Sequence, residues 1–139
     1  PDMKLFDIIV ASSASTDSHF IEQYDLPGTY APTASWKLLE ATYKESQKQG
    51  VDIHVGNILS SDVFYNFKDD VNDRWAKMGV LGVEMESAGL YAVAAEAGVD
   101  AMGIFTVSDV IGSGEKATAE QRQSAFTQMM ELALPLAAV

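Results

Sequence analysis

Two short segments of this 139-residue chain place carboxylates where an apolar run gives way to polar or small residues. Gly82-Val83-Glu84-Met85-Glu86-Ser87 follows Val80-Leu81 and leads into the helix-forming stretch Ala88 to Ala97, closed by Gly98. Thr106-Val107-Ser108-Asp109 closes the apolar run Ala101 to Val107. In open α/β sheets ligands sit beyond the carboxyl ends of strands, so two acid-bearing strand ends predict one shared pocket. A carboxylate there accepts hydrogen bonds from vicinal hydroxyls such as those of a ribose, whose apolar face a methionine can cover. Asp109, expected to be walled by apolar residues, could hand a proton to a leaving group, with Arg122 orienting it. Phe64 and Tyr65, on a loop, could supply a stacking wall for a planar base.

Each of these residues also has a plainer reading that the pattern leaves open. Glu84 and Glu86 share a face in a strand but diverge if a helix begins there. Glu86 would then complement the positive helix N-terminus and Glu84 would be a solvated strand end. Met85 can be core filler, Ser108-Asp109 an ordinary turn, and Arg122 a surface charge near Glu120 or Glu115. Phe64 and Tyr65 can belong to the core.

The elements that must position these residues alternate. Leu5 to Ala11 reads as a buried strand, and Ser12 to Pro32, polar and carrying Pro27-Gly28, as a long loop. Thr33 is expected to cap a helix from about Ala34 to Gln49, with Trp36, Leu39 and Tyr43 near helical spacing and Gly50 as the stop. Val51 to Leu59 is the next strand, Ile53 and Val55 facing one way and His54 the other. Ser60 to Asp70 is a loop, Val71 to Met78 a short helix, and Glu86 to Ala97 a slim, alanine-rich helix suited to close packing. Ala101 to Val107 is a strand, and Ile111 to Ala117 a glycine-containing loop. Thr118-Ala119-Glu120-Gln121 has capping-box spacing and opens a last helix expected to carry Phe126, Met130 and Leu134 on one face. The alternation predicts an α/β fold in a single unit over residues 1–139.

Nine basic against twenty acidic residues leave a net charge of −11. That disfavours nucleic acid and anionic membrane surfaces as partners, since both need clustered Lys and Arg. With no cysteine and only His19 and His54, a His or Cys metal site is not expected. No charged-then-apolar leader or long apolar segment is visible, which predicts a soluble, cytoplasmic protein. Because the chain starts at Pro1 rather than methionine, a piece of a longer protein is expected.

Taken together, Gly82 to Tyr91, Thr106 to Asp109 and Ala117 to Gln123 resemble the bacterial-type, high-molecular-mass purine nucleoside phosphorylases. Ser15 to Ser18, Val55-Gly56-Asn57 and Ser61 to Tyr65 add matches in the same order along nearly the whole chain. The resemblance implies a phosphorylase/hydrolase-like mixed sheet flanked by helices, lacking its N-terminal portion, in a hexameric enzyme of purine salvage. It implies that Phe64 faces the purine, that Val83, Glu84 and Met85 line base and ribose, and that Glu86 binds the ribose hydroxyls. It implies Ser108 beside the base and Asp109 as proton donor toward N7, assisted by Arg122. Phosphate would be co-substrate with no cofactor, attacking the anomeric carbon to give free base and ribose 1-phosphate.

The family's glycine-bearing phosphate loop has no counterpart here; Gly112-Ser113-Gly114, beside Glu115, reads as loop flexibility. The remaining partners expected are therefore an N-terminal fragment of the same enzyme and further copies of the chain. A nucleosidase of the same superfamily, acting on methylthioadenosine-like substrates, and a noncatalytic nucleoside-binding module are the competing readings. The Thr118 to Arg122 segment favours the phosphorylase over the nucleosidase.

Overall fold

The computed structural model describes residues 3–68 and 70–139. Strands β1 (Ile8–Thr16), β2 (Ile53–Ser60), β3 (Val83–Glu84) and β4 (Gly103–Thr106) alternate with helices α1 (Trp36–Gln49), α2 (Val71–Lys77) and α3 (Ser87–Ala97). Two further helices, α4 (Ala119–Ala125) and α5 (Thr127–Ala133), follow, and short 3-10 turns occupy Phe20–Tyr24 and Leu134–Ala138. The sheet order is β3-β2-β1-β4; β1, β2 and β3 run parallel and β4 is antiparallel to β1. This is the expected α/β class, a mixed sheet flanked by helices. On one face Ile9, Ala11, Ala14 and Ile58 pack against Ala88 and Tyr91 of α3. Elsewhere Ile8 and Val51 enclose Leu132 of α5, joined by Ile53, Ile104 and Met129.

The first strand corrects its expected boundary, because β1 runs five residues beyond Ala11 into the polar stretch read as loop. Its register against β2 shifts between Ala11 and Ser13, and the Asn57 side chain fills the irregularity. Asn57 Oδ1 accepts from Ser13 Oγ and Ser15 N, both at 3.1 Å, and its Nδ2 donates to Ser15 Oγ at 2.8 Å. Polar residues continue as a strand because a neighbouring strand satisfies them. β4 covers only Ile8 to Ala11, and beyond it Thr33 bridges Ser13. Thr33 is thus in a sheet bridge, and the residue flanking α1 is Ser35, whose Oγ accepts from Ala101 N at 3.0 Å.

The outward face of α1 is also corrected. Trp36 is 73% exposed, while Thr42 and Ser46 are the buried positions. Their hydroxyls bond back to Leu38 O and Tyr43 O, at 2.7 and 2.8 Å, so small polar side chains lie inside without orphaned groups. Both glycine stops hold: Gly50 and Gly98 adopt φ +67°, the left-handed cap conformation. Tyr91 Oη donates to Ala11 O (2.6 Å) and accepts from Gly103 N (2.8 Å), tying α3 to β1 and β4.

The capping box at Thr118 forms in both directions with Gln121. The helix it opens is not continuous, however. Phe126 sits at φ −77°, ψ −9°, between α4 and α5, and Pro135 tightens the chain end into a 3-10 turn. The docked residue is Leu132, fully buried with Met129 beside it; Met130 and Leu134 are exposed.

Candidate active site

A groove of about 310 Å³ opens where β1, β2 and β3 end, beside the first turn of α3. Thr16, Ser60, Asp62, Met85 and Glu86 line it, with the Phe20 ring and Gly89 on its apolar side. The Phe20 ring lies over Gly89, where a Cβ would meet it at an ordinary contact distance of 3.6 Å. The polar rim is built from strand ends. Thr16 Oγ1 donates to Ser60 O at 2.7 Å, and the Asp17 carboxylate accepts from Ser61 Oγ (2.8 Å) and Asp62 N (2.9 Å).

The two glutamates separate sharply in their surroundings. Glu84 is half-buried, and its Oε2 accepts from Glu86 N (2.9 Å), Ser87 N (2.8 Å) and Ser87 Oγ (2.9 Å). Its Oε1 accepts from Ser60 Oγ, which itself accepts from Ala88 N at 2.8 Å. Glu84, not Glu86, complements the α3 N-terminus, where unpaired N–H groups and the helix dipole favour a carboxylate. The solvated strand end expected at Glu84 is therefore corrected. Glu86 is exposed on the groove, with Oε2 near Met85 N at 3.2 Å.

Ser108, Asp109 and Arg122 form a second constellation. Ala117 N donates to Ser108 O and Val110 N to Glu115 O, closing residues 108–117 as a small hairpin that ends at the Thr118 cap. Arg122 thereby reaches Asp109, with Nη2 3.3 Å from Oδ2, while Ser108 Oγ donates to the same oxygen at 2.7 Å. The apolar wall expected around Asp109 is not formed: the side chains of Asp109 and Arg122 are 39% and 45% exposed. An ion pair so exposed contributes about 0–1 kcal/mol to stability, so the fold does not depend on it.

The single shared pocket is corrected as well. Thr106 pairs with Ile8, whereas Glu84 pairs with Ser60, which lies opposite Thr16 at the other end of β1. Eight steps along a strand is roughly 26 Å at about 3.3 Å per residue. Because β4 runs antiparallel, its carboxyl end points away from the others. Of the anticipated residues, the groove brings together Met85 and Glu86; Val83, Glu84 and Phe64 lie outside its lining. Phe64 is 73% exposed and meets Tyr65 edge to face, with ring centroids 4.8 Å apart. Thr16, Ser60 and Asp62 had no assigned role, although a Ser-Thr-Asp-Ser run and a Ser-Ser-Asp run after apolar strands signal polar groups at strand ends.

At the groove rim His19 Nδ1 lies 2.6 Å from Glu22 Oε1. The hydrogen bond to Glu22, and then its charge, raise the His19 pKa above 6.5, with Asp62 adding to the rise. Among the described residues no cluster of three or more His, Cys, Asp or Glu is arranged to hold a metal, and no helix is long and apolar enough to cross a membrane.

Comparison with known proteins adds the family. The family model described as "Phosphorylase superfamily" matches residues 1–138. A DeoD-type purine nucleoside phosphorylase of Thermoanaerobacter sp. (strain X514) is 51% identical over 99% of this chain and 59% of its own length. Proteins of the same name from Clostridium novyi (48% identical; 98% of this chain, 58% of its own length) and Geobacillus kaustophilus (46%; 99% and 58%) are similar too. The chain thus spans a little under three fifths of the length of these curated relatives. With mixed-sheet architecture and sequence in agreement over nearly every residue, the chain belongs to the phosphorylase superfamily.

Proposed function

We propose that this chain carries the nucleoside-binding part of a purine nucleoside phosphorylase, which cleaves purine ribonucleosides and deoxyribonucleosides reversibly with phosphate. The observation that carries the reading is the Glu86 carboxylate, exposed with Met85 in a groove at three parallel strand ends, while Glu84 is occupied by the helix. Relatives bearing the phosphorylase name support it. Glu86 accepts hydrogen bonds from the ribose hydroxyls and Met85 covers the sugar. Phe64, Val83 and Ser108 are assigned to the base, and Glu84 to the floor beneath the sugar. Asp109, oriented by Arg122, donates a proton to N7 as the glycosidic C–N electron pair withdraws into the purine. Phosphate oxygen then bonds to the anomeric carbon. The role of Asp109 rests on the resemblance and on its contact with Arg122. A nucleoside is far shorter than the strand length separating Asp109 from Glu86 here, so the role requires the 108–122 segment to lie nearer the groove in the complete enzyme.

The reading brings phosphate as co-substrate without a cofactor, an assembly of several copies, a hexamer in the resembling family, and a cytoplasmic place in purine salvage. The separation of Asp109 from the groove favours one alternative, a noncatalytic nucleoside-binding module. Calorimetric titration of the 139-residue chain tests the shared premise. Adenosine and inosine are expected to bind more tightly than uridine. Glu86→Ala should weaken adenosine by about 1.5–3 kcal/mol, the range of a hydrogen bond to a charged group. Equal binding of uridine overturns the purine assignment, and an unchanged adenosine affinity in Glu86→Ala overturns the nucleoside reading.

A further inference from the structure

We propose that Glu84 is a positioning residue which sets sugar discrimination through Glu86 without touching the ligand; this rests on the nucleoside reading above. A carboxylate has two oxygens and about four lone-pair sites, and protein groups at Glu84 supply four donors. Three of them, Glu86 N, Ser87 N and Ser87 Oγ, converge on Oε2, and Ser60 Oγ takes Oε1. Glu84 is absent from the groove lining, whereas both neighbours in the network, Ser60 and Glu86, are part of it. Oε2 is fully engaged, and Oε1 is turned to Ser60 rather than to the groove.

The donors explain what the network positions. Glu86 N is held by the carboxylate two residues earlier, so the φ/ψ of Glu86, at −126° and −33°, is pinned at the junction between β3 and α3. Ser87 N is held at the same oxygen, which uses the first free N–H groups of the helix. The Glu86 carboxylate, deprived of these donors, takes among the described residues only the Met85 N–H, at 3.2 Å through Oε2, and remains on the groove. Ser60 links the device to β2, since its hydroxyl joins Glu84 to Ala88 N. Strand end, acid and helix therefore form one rigid frame for Glu86.

A helix cap alone and a positioning role differ in what they do to ligand selectivity. Removing a cap lowers the melting temperature and weakens all nucleosides together. Removing a positioning group lets Glu86 turn into the vacated helix end, which weakens only ligands that use it. The test compares adenosine with 2′,3′-dideoxyadenosine by calorimetry for the 139-residue chain and for Glu84→Gln, Glu86→Gln and the milder Ser87→Ala, with melting temperatures recorded alongside.

The expected result is an adenosine preference in the parent chain that falls about tenfold in both Glu84→Gln and Glu86→Gln, the size of one charged hydrogen bond. Dideoxyadenosine affinity should stay within about twofold in each, and Ser87→Ala should fall in between. If Glu84→Gln does not fold, the reduced preference in Ser87→Ala carries the same decision. A parent chain that prefers adenosine, with that preference retained in Glu84→Gln and Ser87→Ala, overturns the positioning role and leaves the nucleoside reading intact. A parent chain with no preference overturns both.

Discussion

Glu84 and Glu86, two residues apart, and Asp109 further along the chain do different work because each meets different surroundings. Glu84 faces the open N–H groups of α3, Glu86 faces the groove, and Asp109 faces a guanidinium. The sequence shows the acids but not this division, which depends on α3 beginning at Ser87. For Asp109 the proposed proton donation has a direct check. In protein competent for phosphorolysis, Asp109→Asn is expected to lower turnover by about 10²- to 10⁴-fold, the usual scale of general acid catalysis. Nucleosides whose base leaves readily without protonation should lose least, and equal losses across leaving groups would remove the acid role. Tyr91 offers a stability counterpart away from the groove. Burial raises its pKa, with the Gly103 N–H opposing and the Glu84 charge adding to the rise, so the phenol stays neutral and bridges Ala11 O and Gly103 N. Tyr91→Phe leaves both backbone groups without that partner and is expected to cost about 1–3 kcal/mol in urea unfolding, with an unchanged m value.

Elements whose signals are local were legible: the glycine stops at Gly50 and Gly98, the Thr118 capping box, and the strand and helix order itself. Elements that depend on distant partners were not. Ser12 to Thr16 is strand because Asn57, more than forty residues away, satisfies it; α1 turns Thr42 and Ser46 inward because their hydroxyls bond their own helix. The antiparallel direction of β4, which sets Asp109 apart from the groove, is likewise a property of pairing. The 3-10 turn Phe20–Tyr24 at the groove rim carries a pH response of its own. A histidine whose folded pKa is raised contributes stability fully below its unfolded value, near 6.5, and loses it as pH rises through the folded value. His19 is therefore expected to titrate above 6.5 in two-dimensional NMR, and Glu22→Gln should bring it back. An unshifted His19 in the parent chain would show that the Glu22 contact does not persist in solution.

At the scale of the whole molecule, the accessible surface of 8952 Å² exceeds the roughly 7,000 Å² expected for a compact protein of this mass. Trp36, Tyr65 and Phe67 are among the large side chains left in water, and a standard interface would cover about 800 Å² per partner. Surface of this kind fits the proposal that further segments or copies complete the enzyme. Charge points the same way. Phosphate needs cations or several convergent N–H groups, yet Asp62 and Glu86 are the charged residues lining the groove, and the chain carries −11 overall. Arg122 is engaged by Asp109, and the Ser87 and Ala88 N–H groups opening α3 are taken by Glu84 and Ser60. An anion entering beside Glu86 would meet repulsion from both carboxylates. The isolated 139-residue chain is therefore expected to bind purine nucleoside with an affinity that millimolar phosphate leaves unchanged, and to release no hypoxanthine from inosine. Co-expression with the remaining two fifths of a relative's length should restore phosphate-dependent release. Robust phosphorolysis by the purified chain, with mass spectrometry detecting no second polypeptide, would mean that its own residues bind phosphate and that the division of the site between segments is wrong.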